Sequence, residues 1–116
     1  NKDLDKQPIL VLQPYGSLFF GSVEPLINTY IKAPIHDSLI VDMNQITMID
    51  LSGIYVLEDL IKNAKDKDIQ VFVLNTNTYI EKILEKVDFS KCIEKKYYNK
   101  SRGSIISAIS EHYNLS

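Results

Sequence analysis

Apolar residues gather in short runs over the first part of the chain and recur at helical spacing further on. Residues 8–13, Pro-Ile-Leu-Val-Leu-Gln, are a brief apolar run with β-branched members and predict a strand. Pro14, Tyr15 and Gly16 mark a turn, and Ser-Leu-Phe-Phe at 17–20 predicts a second strand, so the chain is expected to open on a hairpin. Past Gly21, Ser22 is placed to cap a helix on which Val23, Leu26, Ile27 and Tyr30 or Ile31 share one face. Pro25 is tolerated in its first turn, and Pro34 ends it.

Residues 38–43, Ser-Leu-Ile-Val-Asp-Met, are nearly continuously apolar, the pattern of a strand buried on both faces. A short segment, Ile-Thr-Met-Ile-Asp at 46–50, leads from it into a helix over 54–64. Ile54, Leu57, Ile61 and Ala64 repeat there at helical spacing, with Glu58 and Asp59 opposite. Ile69–Leu74 is the clearest interior strand, and Thr78 with Glu81 reads as a capping box opening a helix with Ile80, Ile83, Leu84 and Val87 on its apolar stripe. Ile93–Tyr98 can supply a last strand, and residues 101–113 a terminal helix carrying Ile105, Ala108 and Ile109, weakened by Gly103 and its serines. This alternation predicts an α/β domain with a mixed, mostly parallel sheet of about five strands covered by about four helices through right-handed crossovers. Ligands and regulatory loops gather at the carboxyl ends of such strands, where residues 43–53 are expected.

The length of 116 residues fits one domain, with 1–7 as a polar linker or tail and 8–116 as the domain. A formal charge of -2 with interspersed signs offers no positive field for a phosphate backbone and excludes nucleic acid as a partner. The one basic stretch, residues 91–100 with Tyr97 and Tyr98, reads as a solvated strand edge. Cys92 is the sole cysteine, which rules out an intrachain disulfide and a multi-cysteine metal site and suits a reducing compartment; it reads as a small buried hydrophobe. No apolar run is long enough to cross a bilayer. The start at Asn1 without a methionine is that expected of a piece cut from a longer protein.

Catalytic signatures are missing: there is no Walker loop, nucleophile elbow, His-Glu-x-x-His or dinucleotide fingerprint. His36, in a turn, and His112, near the C-terminus, read as solvated surface residues without partners. No enzyme activity, metal or cofactor is expected. Asp42, at the end of a buried strand, resembles a receiver phosphoacceptor, but the segment after the first strand, Leu-Gln-Pro-Tyr-Gly-Ser, brings no carboxylate to hold Mg²⁺. Asp42 is therefore read as bonding loop amides or capping the turn at Asn44.

Asp50, Ser52 and Gly53 remain. Ser52, or Asp50, is expected to cap the helix that follows, with Ser52 taken to do so in any case. A phosphate on Ser52 would be stabilised by the unpaired N–H groups and the positive end of the helix dipole, while Gly53 lets the backbone approach a neighbour closely. A separate reading gives the 43–53 loop and Tyr15 a weak nucleotide-binding role, without any specific phosphate motif.

These pieces together resemble a STAS domain, the fold shared by bacterial anti-sigma factor antagonists and the cytosolic tails of SulP anion transporters. LIVDMNQITMIDLSGIYVLEDLI at 39–61 resembles the family's central strand, its Asp-x-Ser/Thr-Gly loop and the next helix; IQVFVLNTNTYIEKILEKVDF at 69–89 resembles the strand and helix after that. GSLFFGSVEPL at 16–26 resembles the transporter branch, whose members read Gly-x-Leu-Phe-Phe-Gly before the first helix.

The resemblance implies a non-enzymatic regulatory and protein-interaction domain at the cytoplasmic face of the cell's inner membrane. Its parent would be a homodimeric carrier of sulfate or a related anion, and its partners the parent's transmembrane domain and a cytosolic regulatory protein. The alternative is a free-standing antagonist switched by phosphorylation of Ser52 next to Asp50. Leu51 departs from the Ser or Thr often found between those two positions in antagonists. Asp42, Asn44 and Leu51 would line the loop that meets a ligand or partner.

Overall fold

The computed structural model describes residues 9–19, 21 and 23–113. In chain order the elements are β1 (Ile9–Leu12), β2 (Tyr15–Leu18), α1 (Glu24–Ile31), β3 (Ser38–Asp42), β4 (Gln45–Ile49), α2 (Leu51–Asp66), β5 (Gln70–Leu74), α3 (Thr78–Lys86), β6 (Tyr98–Asn99) and α4 (Arg102–His112). The expected tail at 1–7, Pro8, Phe20 and the Ser22 cap lie outside the described residues.

The α/β class with a largely parallel sheet and four helices is borne out, with the strands divided between a four-stranded sheet, β1-β3-β5-β6, and a two-stranded one, β2-β4. All pairings described are parallel, as the burial of both sheet faces predicts. The opening hairpin does not form. Gly16, at φ 75, lies inside β2 at a register shift against β4, so the glycine bends a strand instead of closing a turn. β1 then pairs with β3, and β2 with β4.

One sheet face carries Leu39, Val41, Val71 and Val73 against α2 and α3, where Ile54, Leu57, Ile61, Ala64, Ile80 and Leu84 are buried. Each of the Val, Leu and Ile side chains among them is worth about 1.5–3 kcal/mol when removed from water. On the opposite face α4 covers Phe72 and Leu74 with Ile105. Phe72 also meets the ring edges of Tyr97 and His112, at centroid distances of 5.5 Å and 5.8 Å.

Several local expectations are corrected. The 46–50 link is a full strand, β4, with Ile46 and Ile49 buried. Asn77, not Thr78, caps α3: its side chain accepts from the N–H groups of Tyr79 and Ile80, which leaves Thr78 as the first helical residue. Of the strand foreseen at 93–98, only Tyr98 pairs, continuing to Asn99, because residues Lys95–Tyr97 wind into a 3-10 turn. His36 is half-buried instead of solvated; its Nδ1–H donates to the Pro34 carbonyl at 2.8 Å and its ring stands against Tyr30. His112 is exposed, though its ring touches Phe72 and Tyr113. No helix among the described residues is long and apolar enough to cross a membrane.

Candidate regulatory site

β4 delivers Asp50 in extended conformation to the start of α2, where its carboxylate accepts the Gly53 N–H at 3.0 Å and its carbonyl accepts the Ile54 N–H at 3.0 Å. Asp50 is thus the cap, and its negative charge also favours the positive end of the helix. Ser52 does not cap. It is the second residue of the helix proper, already helical in backbone, so its hydroxyl cannot close the ring to a later N–H that an extended residue closes. The hydroxyl of half-buried Ser52 has no bonding partner among the described residues.

Gly53 sits against β2. A Cβ there would stand 2.5 Å from the Leu18 carbonyl oxygen, 2.8 Å from the Leu18 Cβ and 2.9 Å from the Ile49 Cγ1. The same Leu18 carbonyl accepts the Asp50 N–H at 3.2 Å. Close approach, not a positive φ, is what requires glycine.

Asp42 is buried at the end of β3 and fully engaged: Gln13 Nε2 donates to one carboxylate oxygen and the Asn44 N–H to the other, each at 3.0 Å. The turn role read from the sequence is what the side chain performs. Asn44 in turn accepts from the Thr76 N–H at 2.8 Å and the Thr76 hydroxyl at 2.7 Å, and Asn77 Nδ2 donates to the Ile46 carbonyl at 3.2 Å. These bonds lash the start of β4 to the loop before α3.

The residues expected in one 43–53 loop therefore form two groups. Asp42 and Asn44 precede β4, while Asp50, Leu51, Ser52 and Gly53 follow it, separated by five extended residues that span roughly 16 Å. Near Ser52 along the chain three large apolar side chains are exposed, Met48, Leu51 and Tyr55 at 50%, 54% and 58%. Leu51 and Tyr55, four apart on α2, fall outside the stripe of Ile54, Leu57 and Ile61, and that off-stripe spacing was the signal available in the sequence. Gln13, Thr76 and the Leu18 carbonyl carried no such signal, since they act through tertiary contacts.

Cys92 is half-buried, and burial, reinforced by the nearby Glu58 charge, pushes its thiol from 9.0 up to about 11, as befits a packed hydrophobe and not a nucleophile. Burial likewise raises the Tyr30 and Tyr98 phenols. The basic stretch is tied down as expected of a surface edge, Lys100 reaching Glu81 at 2.7 Å and Lys96 lying over the Tyr97 ring. Among the described residues no cluster of His, Cys, Asp and Glu could hold a metal ion.

A family model described as the STAS domain matches residues 4–103. No curated protein matches the chain. Among solved structures, a sulfate transporter family protein from Wolinella succinogenes superposes with a TM-score of 0.79 at 12% identity, covering 92% of this chain and 88% of that one. The SulP transporter STAS domain from Vibrio cholerae superposes with a TM-score of 0.74 at 21% identity, covering 93% and 86%. SLC26A9 does so with a TM-score of 0.69 at 17% identity; 93% of this chain is covered, but only 20% of that longer one.

Proposed function

Because this chain belongs to the STAS domain family, we propose that it is the cytosolic regulatory and interaction domain of a SulP-type anion transporter, joined by residues 1–7 to a membrane-spanning part. The observation that carries the reading is the contact between two motifs. The Gly-x-Leu-Phe-Phe-Gly lead-in at 16–21, which resembles the transporter branch, places its Leu18 carbonyl on both the Asp50 N–H and Gly53. A segment arriving from the membrane side is thereby coupled to the turn that presents Ser52. The names of the similar structures, a sulfate transporter family protein, a SulP transporter STAS domain and SLC26A9, support the same assignment.

In this role the domain performs no chemistry. Met48, Leu51 and Tyr55 form the apolar outcrop that a cytosolic regulator would cover, at the cytoplasmic face of the inner membrane, and sulfate or a related anion is the parent's cargo. The deciding experiment is to read the gene upstream of Asn1. A series of long apolar segments supports the transporter tail; an initiation codon within a few residues overturns it.

One observation favours a second reading, a free antagonist switched at Ser52. Since Asp50 performs the capping, the Ser52 hydroxyl is left over at a helix N-terminus that would stabilise a phosphate. Intact-mass analysis of the protein from its native cell, showing a phosphorylated fraction lost in Ser52→Ala, would establish it. Nucleotide binding by the Asn44 end of β4 has less support, because the Asn44 side-chain oxygen is already taken by Thr76; titration with ATP and GTP is expected to show no saturable binding.

A further inference from the structure

A cleft of about 580 Å³ opens between α3 and the start of α4. Its floor is apolar, made by the buried side chains of Leu84 on α3, Phe89 in the turn that follows and Ile93 ahead of β6. Glu81, Glu85 and Asp88 line one wall, and Tyr98 with Lys100 the other. Glu81 and Glu85 lie four residues apart on α3, so both occupy the face turned to the cleft. A space of this size, apolar below and edged by a few polar groups, has the character of a small-molecule site.

Of the charges on the rim, one is left over. Lys100 is engaged by Glu81 at 2.7 Å, and this bridge spans the cleft at its Glu81 end. Asp88 reaches Lys91 at 3.5 Å. The Ser101 hydroxyl oxygen accepts the Ser104 N–H at 3.1 Å and the Ser104 hydroxyl donates to Asn99 at 2.8 Å, so the first turn of α4 is already capped. The exposed Glu85 carboxylate, by contrast, makes no hydrogen bond or ion pair among the described residues. Its charge reaches the opposite wall: burial raises the Tyr98 phenol, and Glu81 and Glu85 add to the rise. Asn75 Nδ2 donates to the Tyr98 hydroxyl at 2.9 Å and fixes that ring in place.

These groups select a ligand by elimination. An anion meets three carboxylates and a capped helix end. A metal ion finds no converging set of ligands among the described residues. A wholly apolar molecule would strip water from Glu85 and leave its charge unpaired. A continuous peptide would have to cross the Lys100–Glu81 bridge. We propose that the cleft binds a compact organic ammonium ion, its amine on Glu85 and its apolar body over Leu84, Phe89 and Ile93 beside the Tyr98 ring. The aliphatic stems of Glu85 and Lys100 extend the apolar floor, and the electron-rich face of a phenol adds attraction for the cation. The site is independent of the transporter reading, because it needs only this chain's own residues.

Titration of the 116-residue chain with phenethylamine, an ammonium ion at neutral pH, followed by amide NMR shifts, tests this. Phenylacetate, of similar shape and opposite charge, is the comparison. Phenethylamine is expected to bind saturably, with shifts confined to residues 81–93 and 98–104, and phenylacetate to show no saturable binding. Glu85→Gln, an exposed and nearly isosteric change, is expected to weaken phenethylamine about three- to fivefold. Asp59→Asn removes the same charge from α2, outside this cleft, and is expected to leave the affinity unchanged. Phenethylamine that never saturates, phenylacetate that binds equally well, or shifts centred elsewhere on the molecule overturn the proposal. So does a Glu85→Gln affinity equal to that of the wild type, or an equal loss in Asp59→Asn.

Discussion

The Leu18 carbonyl oxygen lies 2.5 Å from the place a Cβ on Gly53 would occupy, and the same oxygen accepts the Asp50 N–H. Two backbones thus meet with no side chain between them. Gly53→Ala must push β2 or the first turn of α2 aside, because the obstructing atom is main chain and cannot swing away. A loss of about 1–3 kcal/mol is expected, read as a lower urea midpoint with an unchanged slope.

Asp50 and Ser52 separate in the same measurement. Asp50→Ala removes the cap of α2 and should cost about 1 kcal/mol, whereas Ser52→Ala removes a hydroxyl without a partner and should stay within about 0.5 kcal/mol. The opposite ranking would return the capping role to Ser52.

Ser52→Glu adds a negative charge one residue inside the helix. Stability is expected to hold or rise by about 0.3–1 kcal/mol at low salt, and the gain to fade as salt is added. In the proposed transporter parent the same change is expected to alter transport without altering protein level; equal transport would remove Ser52 from the regulatory surface.

Asn44 binds Thr76 twice through one oxygen. Asn44→Ala strips the acceptor from both donors and is expected to cost about 1–2 kcal/mol, while Thr76→Val keeps the backbone bond and should cost less. Hydrogen exchange at the Thr76 amide reports the difference directly.

The Cys92 thiol, raised by burial from 9.0 to about 11, gives a pH signature. The folded state holds this proton more tightly than the unfolded state does. Its contribution is therefore fully present below pH 9.0 and is lost as pH rises toward about 11. Denaturation midpoints of wild type and Cys92→Ala should run parallel below that window and converge or cross within it, and alkylation of the folded protein should stay slow at neutral pH.

The helices and interior strands were legible wherever one periodicity ruled: Ile54, Leu57, Ile61 and Ala64 on α2, or the unbroken apolar run of β5. β4 was not, because five residues with only Ile46 and Ile49 buried alternate too irregularly to announce a strand, and recognition depended on its pairing with β2. The α3 cap falls one residue before the expected Thr78, and for α2 it is Asp50 of the two candidates, not the favoured Ser52, because Asp, Asn, Ser and Thr all favour that position and only backbone conformation decides among neighbours. Of the candidate site, the residues themselves were visible while their division across β4 was not, since a strand hidden from pattern reads as a loop.

Parallel pairing also sets how this fold must be assembled. Ile9 faces Ser38, Ser38 faces Gln70 and Val73 faces Tyr98, so no described strand can find its neighbour until the chain between them has crossed over the sheet. Among the described residues there is no hairpin to nucleate from, and each ladder closes a long loop before it gains a contact. The last of these closures waits for Tyr98 and Asn99, only two residues wide. A nascent chain that has not yet reached them holds β5 with one edge bare, which makes the interval before Tyr98 and Asn99 emerge one in which this domain is exposed to wrong partners.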